Sequence, residues 1–391
     1  MTHSSMDLAT RVVAEVEQTG RAADAVLRES LRAARRQESE QAREVSELVF
    51  GYFRWRGWLD RSQPLPRQLA HSRELAGRFA RDEAAFDDTA LARAIPDWVW
   101  PEMEVSPEWL RALQRPPRLW LRARPGQGSR LARELGDCRV STLPGLADAL
   151  EYHGRADLFR TPAFHAGRFE VQDIASQMVG VICDPRPGET WWDACAGEGG
   201  KTLHLSDMMG NTGLIWATDR APWRLQRLRR RAARAQCFNY RVRVWDGGGK
   251  LPLKTMFDGV LVDAPCSGVG TWGRNPHARW TTTPRDVQEL AAVQARLLAL
   301  AARAVKPGGR LVYAVCTLTR AETQEVVRGF SAAHPAFAPL PLPPDWPITP
   351  TAGGAEPGGW LWPQATGGNG MFVAAWRCRG NAPLTGGAPA S

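Results

Sequence analysis

The sequence predicts an α/β fold: a doubly wound, mostly parallel sheet, preceded by a small α/β module and an amino-terminal helical domain. Three observations predict it. From residue 171 onward, short β-rich runs alternate with amphipathic helical patterns, as in strand–helix–strand crossovers. Several of those runs end on a carboxylate, a cysteine or a glycine-rich turn, where open α/β sheets place their ligands. Residues 1–115, by contrast, carry apolar side chains at helical spacing. The expected divisions are a helical domain (1–115), a small basic α/β module (116–170), the sheet domain (171–380) and a disordered tail (381–391).

The 391 residues are 43% hydrophobic and 23% charged, a globular balance with room for two or three cores. Net charge is +9, and only four of the 50 basic residues are lysines: Lys201, Lys250, Lys254 and Lys306. An arginine surplus suits phosphate recognition, because the guanidinium fork binds oxyanions bidentately. A GC-rich genome favours arginine too, and both readings apply. No basic stretch leading into an apolar run opens the chain, and no apolar run approaches a membrane span. The seven cysteines show no C-x-x-C and no zinc-like spacing, so free thiols, no metal and a cytoplasmic setting are expected.

In the first domain, Val45, Leu48, Val49, Tyr52, Trp55 and Leu59 form one apolar stripe over 42–60, with Arg43, Glu47 and Arg54 opposite. A second amphipathic helix is expected over 21–36, exposing Arg28, Arg32, Arg35 and Arg36. The module holds a strand in PPRLWLRARPG, a short helix over 130–135 and a β-like FEV before Gln172. Arg118, Arg122, Arg124, Arg155, Arg160 and Arg168 make it basic.

The sheet domain opens with a strand over 191–195, ending on Cys195, and the loop Ala196, Gly197, Glu198, Gly199, Gly200, Lys201. Its glycines let the backbone approach a ligand, and the following helix directs free N–H groups at an anion. Strands over 214–218 and 241–245 end on Asp219 and Asp246, and a carboxylate at the first of these suits ribose hydroxyls. Between them, Arg224, Arg227, Arg231 and Arg234 share one face of a helix whose neighbouring face is Leu225, Leu228 and Ala232. The apolar face belongs on the sheet and the arginine face is free, as a solvated surface or a phosphate contact. After the next strand, Thr283, Pro284 and Asp286 start a helix burying Leu290, Val293, Leu297, Leu300 and Ala304, which Lys306–Gly309 end. Residues 341–359 read as Pro/Gly-rich loop and 371–376 as a last antiparallel strand.

Two strands end on thiols. Val260-Leu261-Val262 runs into Asp263, Pro265 and Cys266, and GRLVYAVCT ends on Cys316. DAPCSG with a following Pro-x-x-Arg-Trp, and PGGRLVYAVCT, resemble the signature segments of the Sun/Nop-type RNA cytosine-C5 methyltransferases. The glycine loop is similar to that family's S-adenosylmethionine loop rather than to the dinucleotide fingerprint. REVSELVFGYFRWRGWLD resembles the NusB-like RNA-binding domain of bacterial members, and the W-L-R and V-Q-D-x-A-S-Q segments match their small RNA-binding module. The resemblance implies a methyltransferase sheet with Cys195 to Lys201, Asp219, Asp246 and Asp263 at the methyl donor. It implies RNA as partner; the arginine face and the net charge make Arg224, Arg227, Arg231 and Arg234, with Arg274, the contact candidates, and a monomer is expected.

Two thiols at adjacent strand ends fit the division of labour in this chemistry. A cytosine C5 is too electron-poor to attack a methyl sulfonium until a thiolate adds at C6, and an acid such as Asp263 must then hold the N3/N4 edge. A base in a paired stem must first be flipped out. By resemblance, Cys316 is the nucleophile and Cys266 assists product release. DNA cytosine-C5 methyltransferases use the Pro-Cys thiol instead, so residue chemistry alone leaves the roles open. Four departures from the family pattern stand out: Gly197-Glu198 for Ala-Pro, Val315 for Thr, His277 for Asp, and Glu322-Thr323-Gln324 for E-N-E. Small-subunit ribosomal RNA is the expected target. The alternatives are tRNA, large-subunit rRNA, or an assembly factor without turnover.

Overall fold

The computed structural model describes residues 3–33, 39–252, 254–351 and 356–379. The expected tail at 381–391 and the expected exposure of Arg35 and Arg36 lie outside them. The chain divides into two compact units.

Unit 1 comprises residues 1–117 and 268–286. Its helices are α1 (His3–Thr19), α2 (Ala23–Ala33), α3 (Ser39–Trp55), α4 (Leu65–Arg81), α5 (Asp88–Ala92) and α6 (Pro107–Gln114). Ser106 caps α6 by accepting from the Trp109 N–H at 3.2 Å, with Pro107 at the first helical position. The predicted stripe is buried: Val45, Leu48, Val49, Tyr52, Trp55 and Leu59 all face the core. Arg54 is not on the exposed side as expected. It is half-buried and donates to the Gly273 carbonyl at 2.9 Å, so burial lowers its pKa to about 10.

Residues 268–286 pack in this helical unit, not with the sheet domain in which a linear division places them. Their anchors are large. Trp272 is fully buried, its ring 6.0 Å from Trp98 and 6.5 Å from Trp109, and the Trp280 indole donates to the Phe53 carbonyl. Arg279, also fully buried, donates to the carbonyls of Ala94 (2.8 Å), Leu113 (3.2 Å) and Arg54 (3.3 Å). Leu113 and Arg54 lie in the last turns of α6 and α3, whose orphan carbonyls welcome a cation. Burial, with Arg54 nearby, pulls the Arg279 pKa down to about 9. His277 packs edge-on against Phe53 at 4.7 Å, and burial lowers its pKa.

Unit 2 comprises residues 118–267 and 287–391. It begins with β1 (Leu119–Ala123), α7 (Gly128–Leu135), β2 (Cys138–Val140), β3 (Ala149–Tyr152), α8 (Pro162–His165) and β4 (Phe169–Val171). These strands form an antiparallel sheet in the order β2-β3-β1-β4. Next come α9 (Ile174–Cys183), β5 (Thr190–Asp193), α10 (Gly200–Met208), β6 (Leu214–Asp219), α11 (Pro222–Arg234), β7 (Tyr240–Val244), β8 (Phe257–Asp263), α12 (Pro284–Ala302) and β9 (Val305–Val315). The last elements are α13 (Gln324–Ala333), β10 (Phe337–Pro339), β11 (Ile348–Pro350), β12 (Gly359–Leu361), α14 (Pro363–Thr366) and β13 (Met371–Cys378).

The large sheet runs β11-β12-β13-β9-β8-β5-β6-β7, with β10 on β13. Strands β9, β8, β5, β6 and β7 are mutually parallel, and β13 joins β9 antiparallel as expected. Three details differ from expectation. Lys306–Gly309 do not end a helix before the strand. They bulge inside β9, whose Val305 and Arg310 pair with Phe257 and Gly259, and Lys306 reaches Asp258 at 2.8 Å. The Pro/Gly-rich stretch holds β11 and leads into β12. On α12 the seam is Val287, Gln294, Leu297, Leu298 and Ala301, while Leu290, Val293 and Leu300 are only half-buried. A glutamine sits in the middle of that seam, which an apolar-only pattern cannot place. The predicted start of α12 holds: Thr283 and Asp286 cap each other's N–H groups at 2.8 and 3.3 Å.

Candidate active site

Because β8 and β9 run parallel with Asp263 opposite Ala314, the residues after each strand leave the sheet side by side. That brings the two predicted thiols together, with Cys266 Sγ 3.2 Å from Cys316 Sγ. Neither is in a disulfide, and both are half-buried. The Cys266 hydrogen bond holds the Cys316 thiol below its ordinary pKa against the cost of burial, and the Lys201 ammonium adds to the effect. Asp263 meets Lys201 Nζ at 2.6 Å. Burial opposes the Lys201 charge, but the Asp263 carboxylate outweighs it and raises the pKa.

Behind the thiols lies a buried carboxylate, Glu322. Glu322 Oε1 accepts from the Ser267 N–H (2.8 Å) and Gln294 Nε2 (2.9 Å). Its Oε2 accepts from the hydroxyls of Ser267 (2.5 Å), Thr317 (2.9 Å) and Thr319 (2.9 Å). Ser267 follows Cys266 and Thr317 follows Cys316, so one side chain fixes both cysteine-bearing turns. Gln294 ties in the strand-end loop by donating to the Pro265 carbonyl at 2.9 Å, and it accepts from Tyr313 at 2.9 Å. This explains the polar residue in the seam of α12.

The glycine loop sits at the carboxyl end of β5. Gly199 adopts φ +86°, and a Cβ there would lie 2.5 Å from Leu228 Cγ, so only glycine allows the loop to lie against α11. A Cβ at Gly197 or Gly200 would meet nothing within 4 Å, which leaves the loop's outer side open. Gly199 at the N-cap offers no side chain, so the first N–H groups of α10 await an acceptor. Asp219, at the end of β6, accepts from Gly197 N–H at 3.0 Å and Ala221 N–H at 2.8 Å. Each oxygen keeps a lone pair for a hydroxyl. Cys195 is half-buried in the turn, and its pKa is raised by burial and by Asp193, Asp263 and Asp219. Asp246 is exposed after β7 and accepts from Gly248 N–H at 2.8 Å.

Asp193, at the end of β5, went unnoticed in the sequence because it lies inside an apolar run. It is fully buried, accepts from Thr202 Oγ1 at 2.6 Å and leaves Oδ1 without a partner. Burial raises its pKa to about 7, with Asp263 and Asp219 contributing to the rise.

The arginine face of α11 is not free. Arg231 and Arg234 pair with buried Glu170 on β4 at 2.9 and 2.5 Å, and Arg231 also donates to the Glu198 carbonyl. Arg227 meets Glu198 Oε1 at 2.6 Å, which turns that unexpected carboxylate toward the helix. Arg224 is exposed beside Trp223. Arg274 is exposed and lies in unit 1.

The profile described as "16S rRNA methyltransferase RsmB/F" matches residues 180–377. The chain belongs to this family. RsmB/F relatives include a protein of Salmonella typhi named ribosomal RNA small subunit methyltransferase B, 30% identical over 324 residues, 79% of this chain and 70% of that one. A Synechocystis relative named probable ribosomal RNA small subunit methyltransferase B is 36% identical over 258 residues. That match takes in 62% of this chain but spans only 57% of the relative's length. The crystal structure of a methyltransferase homolog protein from Pyrococcus horikoshii shares 27% identity at a TM-score of 0.61, covering 69% of this chain and 89% of that one.

Proposed function

We propose that the protein transfers a methyl group from S-adenosylmethionine to C5 of a cytosine in RNA, with 16S ribosomal RNA as the target. The observation that carries this reading is the pair of thiols 3.2 Å apart beside the Asp263–Lys201 pair. The names of the RsmB/F relatives support the ribosomal target.

The open glycine loop, the uncapped start of α10 and the two-sided Asp219 carboxylate fit a donor with both an amino-acid and a ribose end. When bound, that donor supplies an electrophilic methyl group. The chain's own residues do the rest. Cys316, the thiol with the lowered pKa, adds as thiolate to C6 and makes C5 nucleophilic. The Asp263–Lys201 pair faces the N3/N4 edge and supplies the proton that N3 takes as charge develops there. The N3 proton then returns to the Asp263–Lys201 pair, the C5 proton passes to water, and the sulfur–C6 bond breaks with its electron pair returning to Cys316, which restores the ring. Cys266, hydrogen-bonded to the departing sulfur, assists that release.

Transfer of labelled methyl to unmodified 16S rRNA tests the reading, and the two thiols separate its steps. Cys316→Ser should abolish transfer and form no adduct, since a hydroxyl is a far poorer nucleophile at neutral pH. Cys266→Ser should accumulate a protein–RNA adduct that survives a denaturing gel. An adduct with Cys316→Ser but not with Cys266→Ser would reverse the roles, and no transfer by the unaltered protein to any RNA would remove the activity.

A further inference from the structure

Residues 220–243 contain nine arginines and no acidic residue, in a chain that otherwise nearly balances its charges. Three of the nine are taken: Arg227 by Glu198, and Arg231 and Arg234 by Glu170. The remaining six are exposed and form no ion pair among the described residues. Arg229 on α11 and Arg241 on β7 line a shallow groove with Trp216, Phe238, Tyr240 and Val242. Phe238 is 75% exposed, the most exposed of the large hydrophobic side chains among the described residues.

The groove follows β7, the edge strand of the large sheet. An edge needs charges to discourage pairing with another chain, and Arg241 and Arg243 provide them. It does not need an aromatic ring held out in water. Exposed rings between guanidinium groups are what an unpaired nucleic-acid strand requires, with bases stacking on the rings and phosphates meeting the cations. An acidic protein surface would satisfy the arginines and leave Phe238 unexplained. In the sheet order, β7 stands three strands from β8, about 14 Å at ordinary strand spacing. The groove is therefore separate from the cysteine site while remaining on the same unit.

We propose that this edge groove is a further RNA-binding surface that takes an unpaired stretch of the substrate strand away from the target base. The proposal rests on RNA being the substrate. Its test uses the full chain, with a short fluorescein-labelled oligouridine and a 16S rRNA transcript as probes. Arg229→Glu with Arg241→Glu should weaken oligouridine binding about tenfold or more at low salt. The same pair should reduce the log–log salt slope by roughly 1.4, two phosphates at about 0.7 each. Phe238→Ala should weaken binding about tenfold and leave the slope unchanged, because stacking releases no counterions. Arg229→Lys with Arg241→Lys keeps both charges and should keep the salt slope. S-adenosylmethionine binding by calorimetry should be the same in all variants.

Unaltered affinity and slope in the charge-reversed and Phe238 variants, with the parent protein binding RNA, would overturn the groove alone. Failure of the parent protein to bind either probe would remove the RNA reading and the groove with it. A drop in sedimenting mass on charge reversal would give the groove to a second copy of the chain, against the proposal. If charge reversal also abolishes donor binding, the Phe238 and lysine variants decide the matter.

Discussion

At the scale of single residues, two buried carboxyl groups do opposite things. Glu322 has five donors converging on it, and its hydrogen bonds hold the turns of both catalytic-candidate cysteines. Glu322→Gln puts an amide N–H₂ among those donors and should destabilise the fold by about 2–3 kcal/mol. Donor binding should stay intact while methyl transfer falls, because the thiols lose their register. Equal activity and melting temperature in the variant would reduce Glu322 to a bystander. Asp193 has one hydrogen bond, an orphan oxygen and a pKa raised to about 7. A raised folded-state pKa means that the folded protein binds the proton more tightly than the unfolded chain. Its stabilising contribution is therefore complete below the ordinary carboxyl range and is lost as pH rises toward 7. Asp193→Asn, neutral throughout, should be more stable than the parent at pH 8 in chemical denaturation, by on the order of 2–4 kcal/mol, and gain little at pH 4. A constant difference across that range would show that Asp193 does not titrate as described.

Among elements, the small sheet is fastened to the large one by ion pairs. Glu170 on β4 takes Arg231 and Arg234 from α11, and Asp207 at the end of α10 takes Arg122 and Arg124 from the β1 region. Glu170→Ala leaves two guanidinium groups without their partner and should cost about 3–5 kcal/mol in chemical denaturation. No loss of stability would mean that the pairs are exchanged for water at no cost. These pairs also show where legibility stopped. Among the parallel strands, β5, β6, β8 and β9 are plain because buried strands read as apolar runs with turn residues after them, whereas β7, at the edge, alternates arginine with valine. The thiol pair, the glycine loop and Asp219 followed from their places at strand ends. The arginine face was misread because Glu170 lies some sixty residues away and nothing local announces the pairing. Strands β10, β11 and β12 are three residues each, too short to show a period in a proline-rich stretch. Gln294 was invisible for a related reason: its burial is set by Glu322 and Tyr313, on other elements.

At the scale of the whole molecule, the departure from a linear reading is the segment 268–286. It follows Ser267 directly, yet its Trp272, Arg279 and Trp280 complete the helical unit. Residues 1–117 expressed alone should therefore melt with low cooperativity, their carbonyls at Arg54, Ala94 and Leu113 lacking Arg279. Adding a synthetic peptide of residues 268–286 should sharpen the transition and raise its midpoint in circular dichroism. A fragment that melts as sharply without the peptide as with it would show that the insertion is dispensable. No helix among the described residues is long and apolar enough to cross a membrane.

The same threading sets a timetable for synthesis. A helical unit placed first in a chain ordinarily closes as soon as its own residues clear the ribosome. Here the closing piece emerges roughly 170 residues after the helices. At about 5–20 residues per second, those helices wait on the order of 10–30 s with the sockets for Trp272 and Trp280 open to water. Of the large sheet only β5 to β8 are made during that interval, and β9 to β13 follow it. The newborn protein thus spends its most vulnerable seconds with apolar pockets exposed, and its yield in a cell should depend on chaperones that shelter the amino-terminal helices until residue 286 arrives.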